Sequence, residues 1–403
     1  MATEKGVWDL QDVRDKQLQD LWNYQVGQLW SLGRAYAGNL AQNGVVPNSP
    51  SHAGLSSPLQ IGSDSTWSMS EHGDIKGNSN GDSNHAIKSD GTLWTWGVNE
   101  DGAFGIPSYS HNDKISSPVQ VGSDTTWKNT IATSGGNSTR AAIKTDGTLW
   151  MWGMGEKGTL GLNQPHNTKL SSPTQVPGTT WASISTGDSR TAAIKTDNTL
   201  WMWGSGTYGE LGQNDRTSRS SPVQIPGTTW DYVHVGYNAQ IGIKSDGTMW
   251  AWGHNQQGAL GQNQGPGQLT RVSSPVQIPG TTWKMADGGN LGYTLAVKTD
   301  GTMWGWGYND KGVLGLNSTS DTGTPRYSSP TQIPGTTWSF VACDISKSNY
   351  ALKTDGTLWS WGYQYHGQLG QNENNKNYSS PTQIPGSWSG VFGGRETGFL
   401  YKG

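Results

Sequence analysis

The chain has 403 residues, a formal net charge of −3 and a pI near 6.2, and only 14% of its residues are charged. That balance excludes a basic nucleic-acid surface, which shows as clustered Lys and Arg with a domain pI above about 9, while 22 Trp exclude a disordered chain poor in aromatics. No apolar run reaches the roughly 18 residues of a membrane span, so no membrane insertion is expected, and Cys343 is the single cysteine, so no intrachain disulfide can form.

In chain order, residues 1–26 form a leader that does not follow the pattern of 27–403. Its first residues lack the hydrophobic stretch of a secretory signal, and synthesis in a cytoplasm is expected. Val7, Leu10, Val13, Leu18, Leu21 and Trp22 recur at roughly helical spacing. Asp9 suits an N-cap, and Asp12 and Asp15 suit the positive end of a helix dipole. The spacing predicts a short amphipathic helix from about residue 10 to 23. It either plugs the rim of the following domain or anchors the chain in a partner; in the second case Trp8 and Trp22 are its contact residues.

From residue 27 two signatures alternate. One is K-[ST]-D-[GN]-T-[LM]-W-x-W-G, beginning at Lys88, Lys144, Lys195, Lys244, Lys298 and Lys353, with a degenerate copy around Leu29, Trp30, Ser31 and Leu32. The other is S-S-P-x-Q-[IV], beginning at Ser56, Ser116, Ser171, Ser220, Ser273, Ser328 and Ser379, each followed by a lone Trp. Both point to seven repeats, and periods of this length mark a propeller or solenoid. In the third repeat, Trp181 to Ser185 and Thr191 to Lys195 read as strands. Asp197-Asn198 reads as a two-residue type I′ turn, Leu200 to Trp203 as the returning strand, and Gln175-Val176 as a short outer strand ended by Pro177-Gly178. Trp201 and Trp203 are two apart and share a face. A four-stranded blade cannot bury both faces alone, whereas a ring of blades can.

The last residues, Gly398 to Gly403, match a second strand without its hairpin partner, and Leu29-Trp30 match a returning strand without its predecessor. Closure of the ring is therefore predicted inside one hairpin, through Leu29, Trp30, Phe399 and Tyr401. The predicted fold is all-β: a seven-bladed β-propeller over 27–403 whose last blade is shared between the two ends, plus the N-terminal helix. Burying one aromatic removes about 150–250 Å² from water, so a structural role accounts for the repeat Trp.

The run Trp306-Gly307-Tyr308-Asn309 with Gly312-Val313-Leu314-Gly315, and the similar Trp252-Gly253-His254-Asn255 with Gly258-Ala259-Leu260-Gly261, resemble the hallmark of the regulator of chromosome condensation repeat family; Val341-Ala342-Cys343 fits its next strand. The resemblance covers about 27–403 and implies a seven-bladed propeller with a split blade. It also implies protein binding through loops on a rigid disc, since members include an exchange factor for a small GTPase, a plant UV-B photoreceptor and a β-lactamase inhibitor. The photoreceptor's Gly-Trp-Arg-His-Thr run does not occur here, and segments such as Gly187-Asp188-Ser189-Arg190 replace the family's histidine-bearing strand start. The S-S-P wording is similar to repeat proteins of environmental bacteria and tailed marine phages, and residues 6–16 resemble the leader of marine phage structural proteins.

Apparent chemistry resolves into turns. Gly153 to Gly158 and Gly204 to Gly209 spell G-x-G-x-x-G without the helix a nucleotide site needs. Other repeats carry Asn99, Asn255 and Asn309 at the middle glycine, which suggests a left-handed turn position. The eight His lack metal-ligand spacing, the 78–84 stretch lacks the terminal glutamate of a calcium loop, and Cys343 reads as a buried thiol. No catalytic, cofactor or metal residues are assigned. Variation concentrates in the loops 42–55, 106–115, 162–170, 213–219, 262–272, 316–327 and 371–378, which offer Tyr109, His111, Arg216, Arg271, Arg326 and Tyr378 as binding residues. The expectation is a non-enzymatic virion component (capsid decoration, tail or fibre), fixed to other virion proteins by the leader and presenting its loops to a host-surface protein or glycan. The alternative is a bacterial intracellular adaptor.

Overall fold

The computed structural model describes residues 26–35, 37–42, 54–68, 83–133, 138–237, 239–265, 267–289, 292–318, 325–344, 346–394 and 396–403. The predicted leader helix, with Val7, Trp8, Leu10, Val13, Leu18, Leu21 and Trp22, lies outside these residues.

The remainder is a seven-bladed propeller of antiparallel sheets. Blade 3 shows the plan. Strands Trp181–Gly187, Arg190–Lys195, Leu200–Gly204 and Arg219–Gln224 pair in that order. The first strands of blades 2 to 7 touch one another in succession, and the S-S-P strand is the outer edge. This corrects one expectation. Gln175 does not edge the sheet of Trp181; it pairs with Trp150 of the preceding blade, in strand Thr168–Gln175. The chain meanders outward through each sheet, and Pro177-Gly178 then carries it to the centre of the next. Blades 1 to 6 carry the complete hairpins beginning at Lys88, Lys144, Lys195, Lys244, Lys298 and Lys353.

Blade 7 closes the ring. Strands Gly390–Gly393 and Thr397–Lys402 are joined by Val26–Arg34 and Gly54–Gln60. Gln28 lies opposite Lys402, Leu29 opposite Tyr401, Trp30 opposite Leu400 and Ser31 opposite Phe399. Leu29, Phe399 and Tyr401 are fully buried, and the Phe399 ring meets Trp96 of blade 1 edge-on at 5.8 Å.

The hairpin turn also differs from the expected type I′. The Asn198 N–H bonds to Lys195 O, and Asn198, with φ 61°, is left-handed while Asp197 is not. The loop is a type I turn closed by a left-handed residue, the three-residue hairpin. Asp197 is held by its own carboxylate, which accepts from both the N–H and the hydroxyl of Thr199 at 3.0 and 2.6 Å. The Thr199 hydroxyl in turn accepts from the Trp201 indole at 2.9 Å. The same relay recurs in all six complete hairpins, with indole-to-hydroxyl distances of 2.7–3.0 Å.

The second Trp of each pair makes the joint between blades. Trp96, Trp152, Trp203, Trp252, Trp306 and Trp361 are completely buried. Each indole N–H donates to a carbonyl of the preceding blade (Asn39, Ala103, Thr159, Glu210, Ala259 and Val313) at 2.7–2.9 Å. The acceptor precedes an L-G or F-G pair in five cases and Leu40-Ala41 in the sixth. At the seam Leu32 stands where this Trp would be. There the Tyr350 hydroxyl of blade 6 donates instead to Gln368 O, the equivalent carbonyl.

Candidate binding face

Strand direction sorts the connections onto two ends of the ring. The K-[ST]-D-G-T hairpins and the links into each lone Trp lie on one end, the uniform face. The links between first and second strands and the loops between third and fourth strands lie on the other, the variable face. The described parts of the variable loops therefore emerge together; 43–53, 266 and 319–324 are outside the described residues.

An asparagine sets the base of three of these loops. Asn99 has φ −82°, Asn255 −89° and Asn309 −120°. The expected left-handed role is thus wrong, and the left-handed residues are Asp101, Gln257 and Lys311 two positions on. Each Asn is a staple. Asn99 Nδ2 donates to Tyr109 O and Ser110 O while its Oδ1 accepts from Phe104 N. Asn255 and Asn309 bind their own loops in the same way. In blades 2 and 3 the residue is Gly155 or Gly206; the first glycine-rich run is a strand end followed by a single 3-10 turn, Glu156–Gly158, the second a strand end followed by turns, and neither opens an α-helix.

Buried and partly buried charges on this face pair within blades and between neighbouring ones. Arg190 pairs with Glu210 at 2.8 Å, their side chains 5% and 2% exposed, and also donates to Tyr237 O of blade 4. His234 meets Asp287 at 3.2 Å, and Asp287 accepts from Cys343 N of blade 6 at 2.9 Å. Lys347 pairs with Asp310 at 2.7 Å, and Glu396 of blade 7 lies 3.1 Å from Arg34 and 3.4 Å from His366. At the joint of blades 1 and 2, burial brings the Arg140 guanidinium down to about 10. Burial, and then Arg140 itself, hold His85 well below the usual histidine range. Burial raises the Asp188 carboxyl. Among the described residues no group of three His, Cys, Asp or Glu is placed to hold a metal, and no helix is long and apolar enough to cross a membrane.

The sequence-selected residues share this face but not one site. Arg216, Arg271, Arg326 and His111 are exposed, on different blades. His111 Nδ1 accepts from Asp101 N, Tyr109 packs edge-on against Phe104 at 5.5 Å, and Tyr378 donates to Glu373 within its own loop at 2.8 Å. Arg271, Arg326 and Tyr378 open outer strands rather than sitting in loops. Sequence reading missed Tyr208 and Tyr237, 41% and 43% exposed. Tyr208 stacks on His254 at 4.4 Å, next to the Arg190–Glu210 pair. Their signal was position: Tyr208 stands just before the G-E-L-G turn, and Tyr237 at the end of a first strand.

The RCC1-like domain model matches residues 28–400. The chain belongs to the RCC1-like domain family. Its relatives include Pim1 of Schizosaccharomyces pombe, 26% identical over 74% of this chain and 60% of that protein. The ultraviolet-B receptor UVR8 of Arabidopsis thaliana is 24% identical over 72% of this chain and 53% of that one. The chain thus spans little more than half the length of these relatives. Prp20p of Saccharomyces cerevisiae has the same fold, with a TM-score of 0.78 at 17% identity over 95% of this chain and 94% of Prp20p. Human WBSCR16 gives 0.77 at 17% identity over 94% and 99%. The RCC1-like membership is in keeping with the seven-fold count.

Proposed function

We propose that this RCC1-like chain is a non-enzymatic protein-binding module, displayed on a phage particle by its leader with the variable face outward. One observation carries the display geometry. Val26–Arg34 is a third strand, so the chain enters the ring from the uniform face, beside Trp67–Ser68, with Val26 opposite Ser68 and Gly27 opposite Trp67. An attachment through residues 1–25 puts the uniform face toward the support and the variable loops away from it. Protein binding is in keeping with the solved relatives, since Prp20p is described with binding to Gsp1p and histones and in complex with Kap60. The phage setting is supported by the wording of residues 6–16 and of the S-S-P segments.

Purified particles, digested and mapped by mass spectrometry, are expected to contain this chain, and removal of residues 1–25 should release the ring from them. A chain absent from particles but recovered with one soluble host protein, regardless of the leader, would instead make it an intracellular adaptor.

A further inference from the structure

The uniform face repeats one arrangement six times, and the copies are not equivalent. The Lys that opens each hairpin lies opposite the lone Trp of its own blade, as Lys195 does opposite Trp181. Its ammonium sits over two indoles, the lone Trp and the first of the pair, at 3.8–5.1 Å from the ring centres. Each such contact favours the cation electrostatically.

In blades 1 and 2 a carboxylate of the same chain completes the site. Asp64 reaches Lys88 at 2.6 Å, and Asp124 pairs with Lys144. Thr66 holds Asp64 through its N–H and hydroxyl, at 2.8 and 2.6 Å, both to Oδ1, which leaves Oδ2 on the ammonium. Thr126 does the same for Asp124. Burial pushes the Asp124 carboxyl up, but hydrogen bonds from Lys144 and Thr126 outweigh it and hold the group at about 2.

Blades 3 to 6 are entered differently. Gly122-Ser123-Asp124-Thr125-Thr126-Trp127 in blade 2 becomes Pro177-Gly178-Thr179-Thr180-Trp181 in blade 3, one residue shorter and without the acid. The shorter link turns through a left-handed threonine, with φ of 67, 75, 65 and 68° at Thr180, Thr229, Thr282 and Thr337. Among the described residues no carboxylate forms an ion pair with Lys195, Lys244, Lys298 or Lys353, and each is partly exposed. Their neighbours Asp197, Asp246, Asp300 and Asp355 use Oδ1 on the turn Thr. Four adjacent blades thus present the Lys and both indoles with the carboxylate missing.

We propose that the uniform face of blades 3 to 6 docks an acidic polypeptide, whose Asp or Glu side chains take on Lys195, Lys244, Lys298 and Lys353 the place that Asp64 and Asp124 take on Lys88 and Lys144. The ligand class is read from the chain's own occupant, which is a carboxylate. Apolar indole walls keep the attraction from being fully screened. Four sites fixed on one rigid arc add by multivalency, although a single exposed pair contributes little. Blades 1 and 2, already filled, bound the surface on one side. The inference stands apart from the proposed phage setting.

The test uses the full chain and a fluorescein-labelled polyglutamate peptide, followed by anisotropy at low ionic strength. Binding that weakens steeply with salt is expected. Lys→Gln at 195, 244, 298 and 353 together should weaken it about tenfold or more. Because those lysines also cover indoles, a second variant fills the sites instead of emptying them. It replaces Pro-Gly by Gly-Ser-Asp ahead of Trp181, Trp230, Trp283 and Trp338, a link that blades 1 and 2 already accommodate. It should keep the parent's thermal stability and lose the peptide to a similar extent. Asp64→Asn with Asp124→Asn opens two further sites and should tighten binding. No polyglutamate binding at low salt, or undiminished binding in the filled variant, would overturn the proposal. So would a polyphosphate chain that binds more tightly than polyglutamate and is lost in the same variant, since that assigns the face to phosphate.

Discussion

The two faces of the ring solve the same problem, joining seven sheets, by different means. On the uniform side and through the core, one set of hydrogen bonds recurs: Thr to the Asp carboxylate, the first indole to Thr, and the buried second indole to the carbonyl of the blade before. On the variable side charged groups join particular blades by particular contacts, with Arg190 to the Tyr237 carbonyl, His234–Asp287, Lys347–Asp310 and His366–Glu396 each at a different joint. Neutral bonds to backbone carbonyls are indifferent to loop sequence, salt and pH. The ring can therefore close identically whatever its loops contain, and the variable face is free to differ from blade to blade.

The largest effect should come from breaking the repeated joint. Trp203→Ala removes a fully buried indole and leaves the Thr159 carbonyl with Thr191 as its one remaining side-chain donor. Losses of about 3–5 kcal/mol are usual for a buried Trp, and equilibrium denaturation should show that drop. If the cost were under about 1 kcal/mol, within the range of a surface substitution, the joint would not be what holds the ring. The seam offers a smaller version of the same test. Tyr350→Phe removes the hydroxyl that satisfies Gln368 O and should cost about 1–3 kcal/mol, the penalty of an unpaired buried acceptor.

Much of this was legible in the sequence, and the rest was hidden for identifiable reasons. The seven lone Trp and six Trp pairs carried the blade count, and Leu29 opposite Tyr401 followed from which half-hairpin each end lacked. The parentage of Gln175 was not legible, because a segment between two hairpins in sequence can edge either sheet. Asn99 was misread as a backbone residue because its partners, Tyr109 O and Ser110 O, lie in a loop that has no repeat. The Lys–indole sites required the register that sets Lys195 against Trp181. On the candidate face the exposed loop positions were readable, but not that Tyr208 would stack on His254, since those residues come from different blades.

Stability should also respond to pH through a buried carboxyl where the first strand of blade 6 ends. Burial raises the Asp344 carboxyl well above the usual range, against hydrogen bonds from Ser348 and Ser346. The folded state then holds this proton after the unfolded state has lost it. Stability attributable to Asp344 is therefore greatest in acid and falls as pH rises past the ordinary carboxylate value of about 4. Asp344→Asn keeps an acceptor for both amides and removes the charge. Its melting temperature should exceed the parent's at pH 8 and match it near pH 4; a parallel offset at both would show that packing, not ionisation, is the cause.

The smallest effect on stability should fall on the exposed variable-face residues, and that contrast is what separates scaffold from binding surface. Arg216→Ala and Arg326→Ala remove exposed side chains at blades 3 and 5, and surface changes of this kind stay within about 0.5 kcal/mol. Tyr237→Ser should behave similarly. Its ring is 43% exposed, and the group it contributes to Arg190 is its backbone carbonyl, which the substitution retains. If these three variants melt with the parent yet lose a partner captured through the variable loops, the face is a binding surface carried on an indifferent ring. If they instead unfold it by more than about 1 kcal/mol, beyond the surface range, the loops are part of the closure, and the division between the two faces fails.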